Sequence, residues 1–534
     1  MPNIIRYKKG DQVDIRDLLF SRERDFLVKN NPHQLVRAEQ LEGKVIVLHF
    51  ELLTTDASCT WRNTAHLVEI YTELVSLCNT TGHFEVVFVA VNVGTDAMHK
   101  HFQEMFSSML WTAIPFADSI ARERLANSFI ASESGGYYAP SSVVISKTGV
   151  ILQHNALSLF QQCGVAGYPF SDERISCLIS EDDEARERPS LKALLASPER
   201  DYVINNKGHK VNICDLEDKV VALYLYEKGC TNDLTESLRN AHKILVQEEK
   251  KKFEIVLIYI HDSWNTLGRT DAESFKKEFE TMPWLALPFK DTSCKKVQRV
   301  FRYPFELGGP QPDPSLVIIG PFGEFSEPFG AADVLMNFGV EAYPFTRKKA
   351  YMLQVEKVMN AKLDMLWDPE AVFTRGCVSE STYQEVLFSD INVGKRIIVF
   401  CDAVRSVWYK EFKMMPRERY EEKKGKIDEF EVIHIAAREG EDVPWLRLHP
   451  DFPYEDSTAS KILCDIFCNG YGILAFDLVG EVVRATSNPN FERKDCEFPF
   501  SDAPLEEEVA LDLLHRFGWD FWRNYPLIDL KRTN

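Results

Sequence analysis

Three apolar runs of similar length recur along the chain, each opening on a lysine: Lys44-Val-Ile-Val-Leu-His-Phe50, Lys219-Val-Val-Ala-Leu-Tyr-Leu225 and Lys395-Arg-Ile-Ile-Val-Phe-Cys401. Their starts lie 175 and 176 residues apart. Short, continuous and rich in branched residues, they read as parallel strands buried on both faces. A second run follows in each case: Phe84-Glu-Val-Val-Phe-Val89, Phe253-Glu-Ile-Val-Leu-Ile258 and Phe430-Glu-Val-Ile-His-Ile435. Between the first pair, Leu67, Ile70, Tyr71 and Leu74 fall at i, i+3, i+4 and i+7, the apolar stripe of a helix. Strand, helix, strand at this spacing is a βαβ unit, with a right-handed crossover.

The pattern then continues in step. An aromatic-proline segment comes next, Met109 to Phe116, Met282 to Phe289 and, more loosely, Val443 to Pro450. A helix is expected after it, then a strand pair at Ser141 to Ile151, Ser315 to Phe325 and Gly472 to Val483, turning at Lys147-Thr-Gly149, Pro321-Phe-Gly323 and Val479-Gly480. Each unit closes on a Tyr-Pro-Phe or Phe-Pro-Phe corner, at Tyr168, Tyr343 and Phe498. The expected domains are therefore 1–180, 181–360 and 361–534. The polar stretch from Ser180 to Pro189 reads as a solvated helix or linker between the first two.

Composition narrows the function classes. With 534 residues the chain exceeds the size at which one core stops growing, about 250–300 residues. Its net charge of −19 argues against nucleic acid or an anionic membrane as the main partner, because both need a basic footprint. No apolar run approaches the roughly 20 residues of a membrane span. The opening residues carry no apolar secretory segment. Twelve scattered cysteines do not make a disulfide scaffold and read as reduced thiols, so the expected location is the cytoplasm, with the nucleus as a second possibility. No metal or cofactor motif is found: there is no His-Glu-x-x-His and no glycine-rich phosphate loop. Cys464 and Cys468 lie one helical turn apart without a second ligand pair, and read as ordinary helix thiols. Trp111, Trp284 and Trp445 recur with the repeat and read as packing residues.

The chain resembles the nucleoredoxins, in particular the plant type with several thioredoxin-like modules. Ser21-Arg-Glu-Arg-Asp-Phe-Leu-Val28, Met282-Pro-Trp-Leu-Ala-Leu-Pro-Phe289, Pro314-Ser-Leu-Val-Ile-Ile-Gly320 and Gly339-Val-Glu-Ala-Tyr-Pro-Phe-Thr346 carry the resemblance. It implies an α/β chain of three tandem thioredoxin-like domains, each a central mixed sheet flanked by helices. It also implies thiol–disulfide exchange through a Trp-Cys-Pro-Pro-Cys motif between the first strand and its helix. A cysteine at a helix N-terminus has its thiolate stabilised by the dipole, attacks a disulfide, and is released by a second cysteine one turn on.

This sequence contains no Cys-x-x-Cys at all. In the first unit the two cysteine positions fall on Ala57 and Thr60 counted from the helix, or on Thr55 and Ser58 counted from the strand; Cys59 is off register in both. In the second, Cys230 falls on the attacking position and Asp233 on the resolving one. A carboxylate there disfavours the thiolate. In the third, the positions fall on Arg405 and Trp408. The family's groove-shaping proline matches Pro140 and Pro314, while the third unit has Gly472. The expectation is a protein-binding or regulatory module whose dithiols are lost. The alternatives are a protein-disulfide reductase or monothiol sensor acting through Cys230, and a self-assembling scaffold. Protein partners are expected; the oligomeric state is left open.

Overall fold

A computed structural model describes residues 5–29, 34–53, 67–68, 70–75, 83–91, 96–107, 109–130, 141–197, 199–226, 232–260, 272–301, 315–377, 382–391, 395–402, 430–436, 446–448, 458–467, 471–486 and 505–516. The described strands form three seven-stranded sheets. The first holds β1 (Leu27–Lys29), β2 (Leu35–Val36), β3 (Val45–Leu52), β4 (Phe84–Val91), β5 (Thr112–Ala113), β6 (Ser141–Ile145) and β7 (Ile151–Gln153), in the order β2-β1-β5-β4-β3-β6-β7. The second holds β8 (Tyr202–Asn205), β9 (Lys210–Asn212), β10 (Val220–Tyr226), β11 (Phe253–Tyr259), β12 (Leu285–Ala286), β13 (Leu316–Ile319) and β14 (Ser326–Glu327). The third holds β15 (Val372–Cys377), β16 (Thr382–Leu387), β17 (Arg396–Asp402), β18 (Phe430–Ala436), β19 (Leu446–Leu448), β20 (Tyr471–Phe476) and β21 (Val482–Thr486). Position for position, all three sheets run in the same order.

In the first sheet β3 pairs parallel with β4 and antiparallel with β6, and β4 pairs parallel with β5. In the third, β17, β18, β19 and β20 repeat that arrangement. The sheets are therefore mixed. Successive residues of a strand face opposite ways, and β3 divides accordingly: Ile46, Leu48 and Phe50 enter one apolar cluster, Val45 and Val47 another. Burial on both faces is why these strands read as unbroken apolar runs. The stripe of Leu67, Ile70, Tyr71 and Leu74 is helical and buried.

Seven helices matter below: α1 (Ser119–Phe129), α2 (Asp172–Glu187), α3 (Asn232–His242), α4 (Thr292–Phe301), α5 (Arg347–Asn360), α6 (Thr458–Phe467) and α7 (Leu505–Arg516). Several of their starts are chemically marked. Asp118 caps α1 by accepting from the Ala121 N–H at 3.0 Å, Ser171 caps α2 from Arg174, and Thr346 caps α5 from Lys349. The boundary expected at 180 falls inside α2, since that polar stretch continues a capped helix. By Cα proximity the chain divides into two compact units, residues 1–231 with 254–308 and 319–326, and residues 232–253 with 309–318 and 327–534. The first sheet lies wholly in one and the third wholly in the other.

Candidate functional site

The positions matched to the dithiol follow the ends of β3, β10 and β17. Ala57, Thr60, Cys230, Arg405 and Trp408 lie outside the described residues, as do Pro140 and Pro314. Asp233 is described. It stands exposed in the first turn of α3, where a carboxylate complements the helix dipole. Cys230 precedes that helix by two residues. The position of the second thiol thus carries a solvated acid at a helix start.

The strands that precede these positions in sequence differ between the first two sheets in their buried polar residues. His49 and Glu51, on β3, occupy buried places in an otherwise apolar strand. The His49 ring nitrogens lie 3.0 Å from Ser142 Oγ and 3.3 Å from Glu51 Oε2. Burial without partners would cost these groups several kcal/mol, so they are placed as a set. In the second sheet Tyr224 and Tyr226 stand at the matching positions, 175 residues on. Burial, and then its hydrogen bond to Glu278, push the Tyr226 hydroxyl well above the usual phenol range. Tyr226 packs against Tyr259 with ring centroids 5.6 Å apart. The only sequence sign of either arrangement is a polar residue in a strand whose neighbours are all apolar.

A second shared feature escaped the sequence reading. Arg24 and Arg200, 176 residues apart, fill the same role in the first two repeats. Arg200 Nε and Nη2 donate to the two Asp291 oxygens at 2.6 and 2.8 Å, and Nη2 also reaches Leu195 O at 2.5 Å. Arg24 pairs with Asp118 and donates to Phe26 O and Leu19 O at 2.5 and 2.6 Å. Each arginine ties the segment before the first strand to the start of a helix. In the third repeat the strand register puts Glu370 at that place.

The Tyr-Pro-Phe corners are real turns: Tyr168–Pro169 and Tyr343–Pro344 are cis, and Phe170 and Phe345 follow with φ of 66° and 65°. Trp111 and Trp284 are buried, as packing residues should be; Trp445 and Cys468 lie outside the described residues.

The described thiols offer little chemistry. Burial pushes the Cys163 thiol up to about 12, and burial with the nearby Asp291 carboxylate does the same to Cys294. Cys177 and Cys214 are exposed and donate to Glu181 and Asp215 at 3.3 and 3.7 Å. Among the described residues no group of three or more His, Cys, Asp or Glu side chains could hold a metal, and no helix is long and apolar enough to cross a membrane.

Comparison with known proteins finds a thioredoxin-like match and relatives that align along much of the chain. A family model described as thioredoxin-like matches residues 218–325. Probable nucleoredoxin 1 of Arabidopsis thaliana is 32% identical over 522 residues, covering 94% of this chain and 82% of the relative. Probable nucleoredoxin 3 of Oryza sativa subsp. japonica is 29% identical over 347 residues, covering 63% and 66%. Among solved structures, the tryparedoxin of Trypanosoma brucei overlaps 29% of this chain and 96% of its own at 22% identity, with a TM-score of 0.23.

Proposed function

The chain belongs to the nucleoredoxin family, and we propose that it serves there as a three-domain, protein-binding thioredoxin-fold molecule that has given up dithiol reduction. The observation that carries this reading is Asp233 at the place of the resolving thiol, in a sequence with no Cys-x-x-Cys. Without a second thiol one turn on, an attacking cysteine has no internal route to release its substrate. A carboxylate in that place also opposes formation of the thiolate. The three-domain part of the reading is supported by the identical strand order of the three sheets. The cytoplasm or nucleus is the proposed setting, and other proteins are the proposed partners.

A second reading is favoured by one fact, that Cys230 sits on the attacking position just before α3. Its thiolate would attack a partner disulfide, join one sulfur in a mixed disulfide and expel the other as a thiolate. An external thiol would then have to reduce the mixed disulfide and free Cys230.

Capture of partners on the immobilised full chain separates the two. The proposal expects partners to be retained equally with and without dithiothreitol, and equally by the Cys230→Ser variant. Partners that elute only on reduction, and are lost in Cys230→Ser, overturn it in favour of the second reading.

A further inference from the structure

Helices join the first two repeats. Helix α4 packs on α2 and on the short helix Leu157–Cys163. Buried charge fixes this junction: Asp182 of α2 takes two bonds from Arg299 of α4, at 2.7 and 3.0 Å, with both side chains almost fully buried. Arg186 of α2 donates from Nε and Nη2 to Val300 O, at 3.0 and 2.7 Å. Between the two helices a cleft of about 230 Å³ remains. Val165, Ala166 and Leu178 make the apolar part of its lining.

The charges of the lining do not cancel. Arg174, Lys295, Lys296 and Arg299 stand against Glu73, Glu181 and Asp182, which leaves one cation in excess. That excess sits in a chain whose net charge is −19. Lys296 donates to Ala193 O at 2.7 Å and, among the described residues, has no carboxylate within ion-pair distance. The junction between α5 and α6 differs, because Lys357 there meets Asp465 at 2.7 Å.

Hydrogen bonding points the same way. Arg299 gives Nε and Nη2 to Asp182. Arg174 gives Nε to Ala166 O at 2.8 Å and Nη1 to Glu181 at 3.0 Å. Among the described residues, Arg299 Nη1 and Arg174 Nη2 meet no acceptor. A guanidinium is donor only, and an unmet donor on a buried side chain is costly. Arg299 is 6% exposed and lines the cleft, so the cleft is where an acceptor can reach it.

We propose that this cleft binds a phosphate dianion, free or carried on a small ester. The donors stand on both helices, Arg174 on α2, Lys296 and Arg299 on α4. A phosphate monoester presents three oxygens in different directions and close to two negative charges at pH 7. A carboxylate presents two oxygens in one plane and a single charge. Arginine and lysine are the side chains that hold phosphate, one by its fork of donors and the other as a point charge. The volume lies below the range of about 300–1,000 Å³ of sites for drug-sized ligands, which suits a small molecule and not a peptide chain. The apolar lining at Val165, Ala166 and Leu178 gives the body of an ester a place beside the donors. This site goes beyond the protein-binding reading and does not depend on it.

Isothermal titration of the full chain in a phosphate-free buffer tests it, with inorganic phosphate, phenyl phosphate and phenol as the probes. The expected result is saturable binding of a phosphate probe with a Kd of about 1 mM or tighter, and none of phenol. Tighter binding of phenyl phosphate assigns the site to an ester, and equal or tighter binding of inorganic phosphate assigns it to the free ion. Lys296→Gln and Arg174→Gln should each weaken binding about tenfold or more, since each removes a charged donor. Neither side chain is fully buried, so both variants should melt close to wild type. Lys207→Gln, at an exposed lysine that does not line the cleft, should bind as wild type does. The proposal is overturned if neither phosphate probe binds up to about 10 mM, if either cleft variant binds unchanged, or if Lys207→Gln weakens binding as much as they do. Each of these failures leaves the partner-capture result standing, so the two readings fail separately.

Discussion

At the residue scale the repeat is held by a few charged side chains inside an apolar frame. Arg200 is one: it satisfies Asp291 and two backbone carbonyls at once. Removing one partner of a buried pair leaves the others unpaired at a cost of about 3–5 kcal/mol. Arg200→Ala is therefore expected to lower the stability of the second repeat by about 3 kcal/mol, read by hydrogen exchange of β8 and α4. A loss below about 1 kcal/mol would show that these bonds are replaced by water. Glu85 gives a pH test. Burial raises the proton affinity of its carboxyl, against the opposing pull of Lys29 and Lys44. The folded chain then binds this proton more tightly than the unfolded one, so the contribution is lost as pH rises through the folded-state pKa. Glu85→Gln should melt higher than wild type at pH 7, and the gain should vanish as pH falls towards the ordinary carboxylate value of about 4.3. A gain that does not change with pH, or a loss at pH 7, would contradict this cause.

At the element scale the central strands were legible because burial on both faces leaves an unbroken apolar run, and the helix behind Leu67 to Leu74 because its stripe has a 3.6-residue period. The hidden parts share one cause: their meaning depends on residues far away in sequence. Ser180 to Pro189 is strongly polar, so it read as a solvated helix or linker, yet Asp182 within the helix found there is buried because Arg299, more than a hundred residues on, meets it. His49 and Glu51 carry no mark in the sequence of the partner that holds His49, Ser142, which lies 93 residues on. The dithiol positions were placed by register alone, and of those singled out as a lost or surviving thiol the structure describes Asp233. The junction makes its own prediction. Asp182→Ala and Arg299→Ala should each cost about 3 kcal/mol, and the double variant should cost less than their sum by about 1 kcal/mol or more, since either change already strands the other charge. Hydrogen exchange of α2 and α4 in the full chain measures it, and strict additivity would show that the pair is not the coupling element.

At the scale of the whole molecule, one strand order is written three times while the chemistry expected of it is not. A fold can outlast its active site because its stability comes from buried strands and paired charges, and none of those groups is a reacting thiol. The net charge of −19 favours solubility. The central claim is that this member of the family holds proteins rather than reducing them. Turnover in an insulin disulfide-reduction assay, with dithiothreitol as the electron source and with wild type and Cys230→Ser side by side, addresses it most directly. The account predicts that both proteins run at the rate of dithiothreitol alone; a wild-type rate well above that background, abolished in Cys230→Ser, would contradict it.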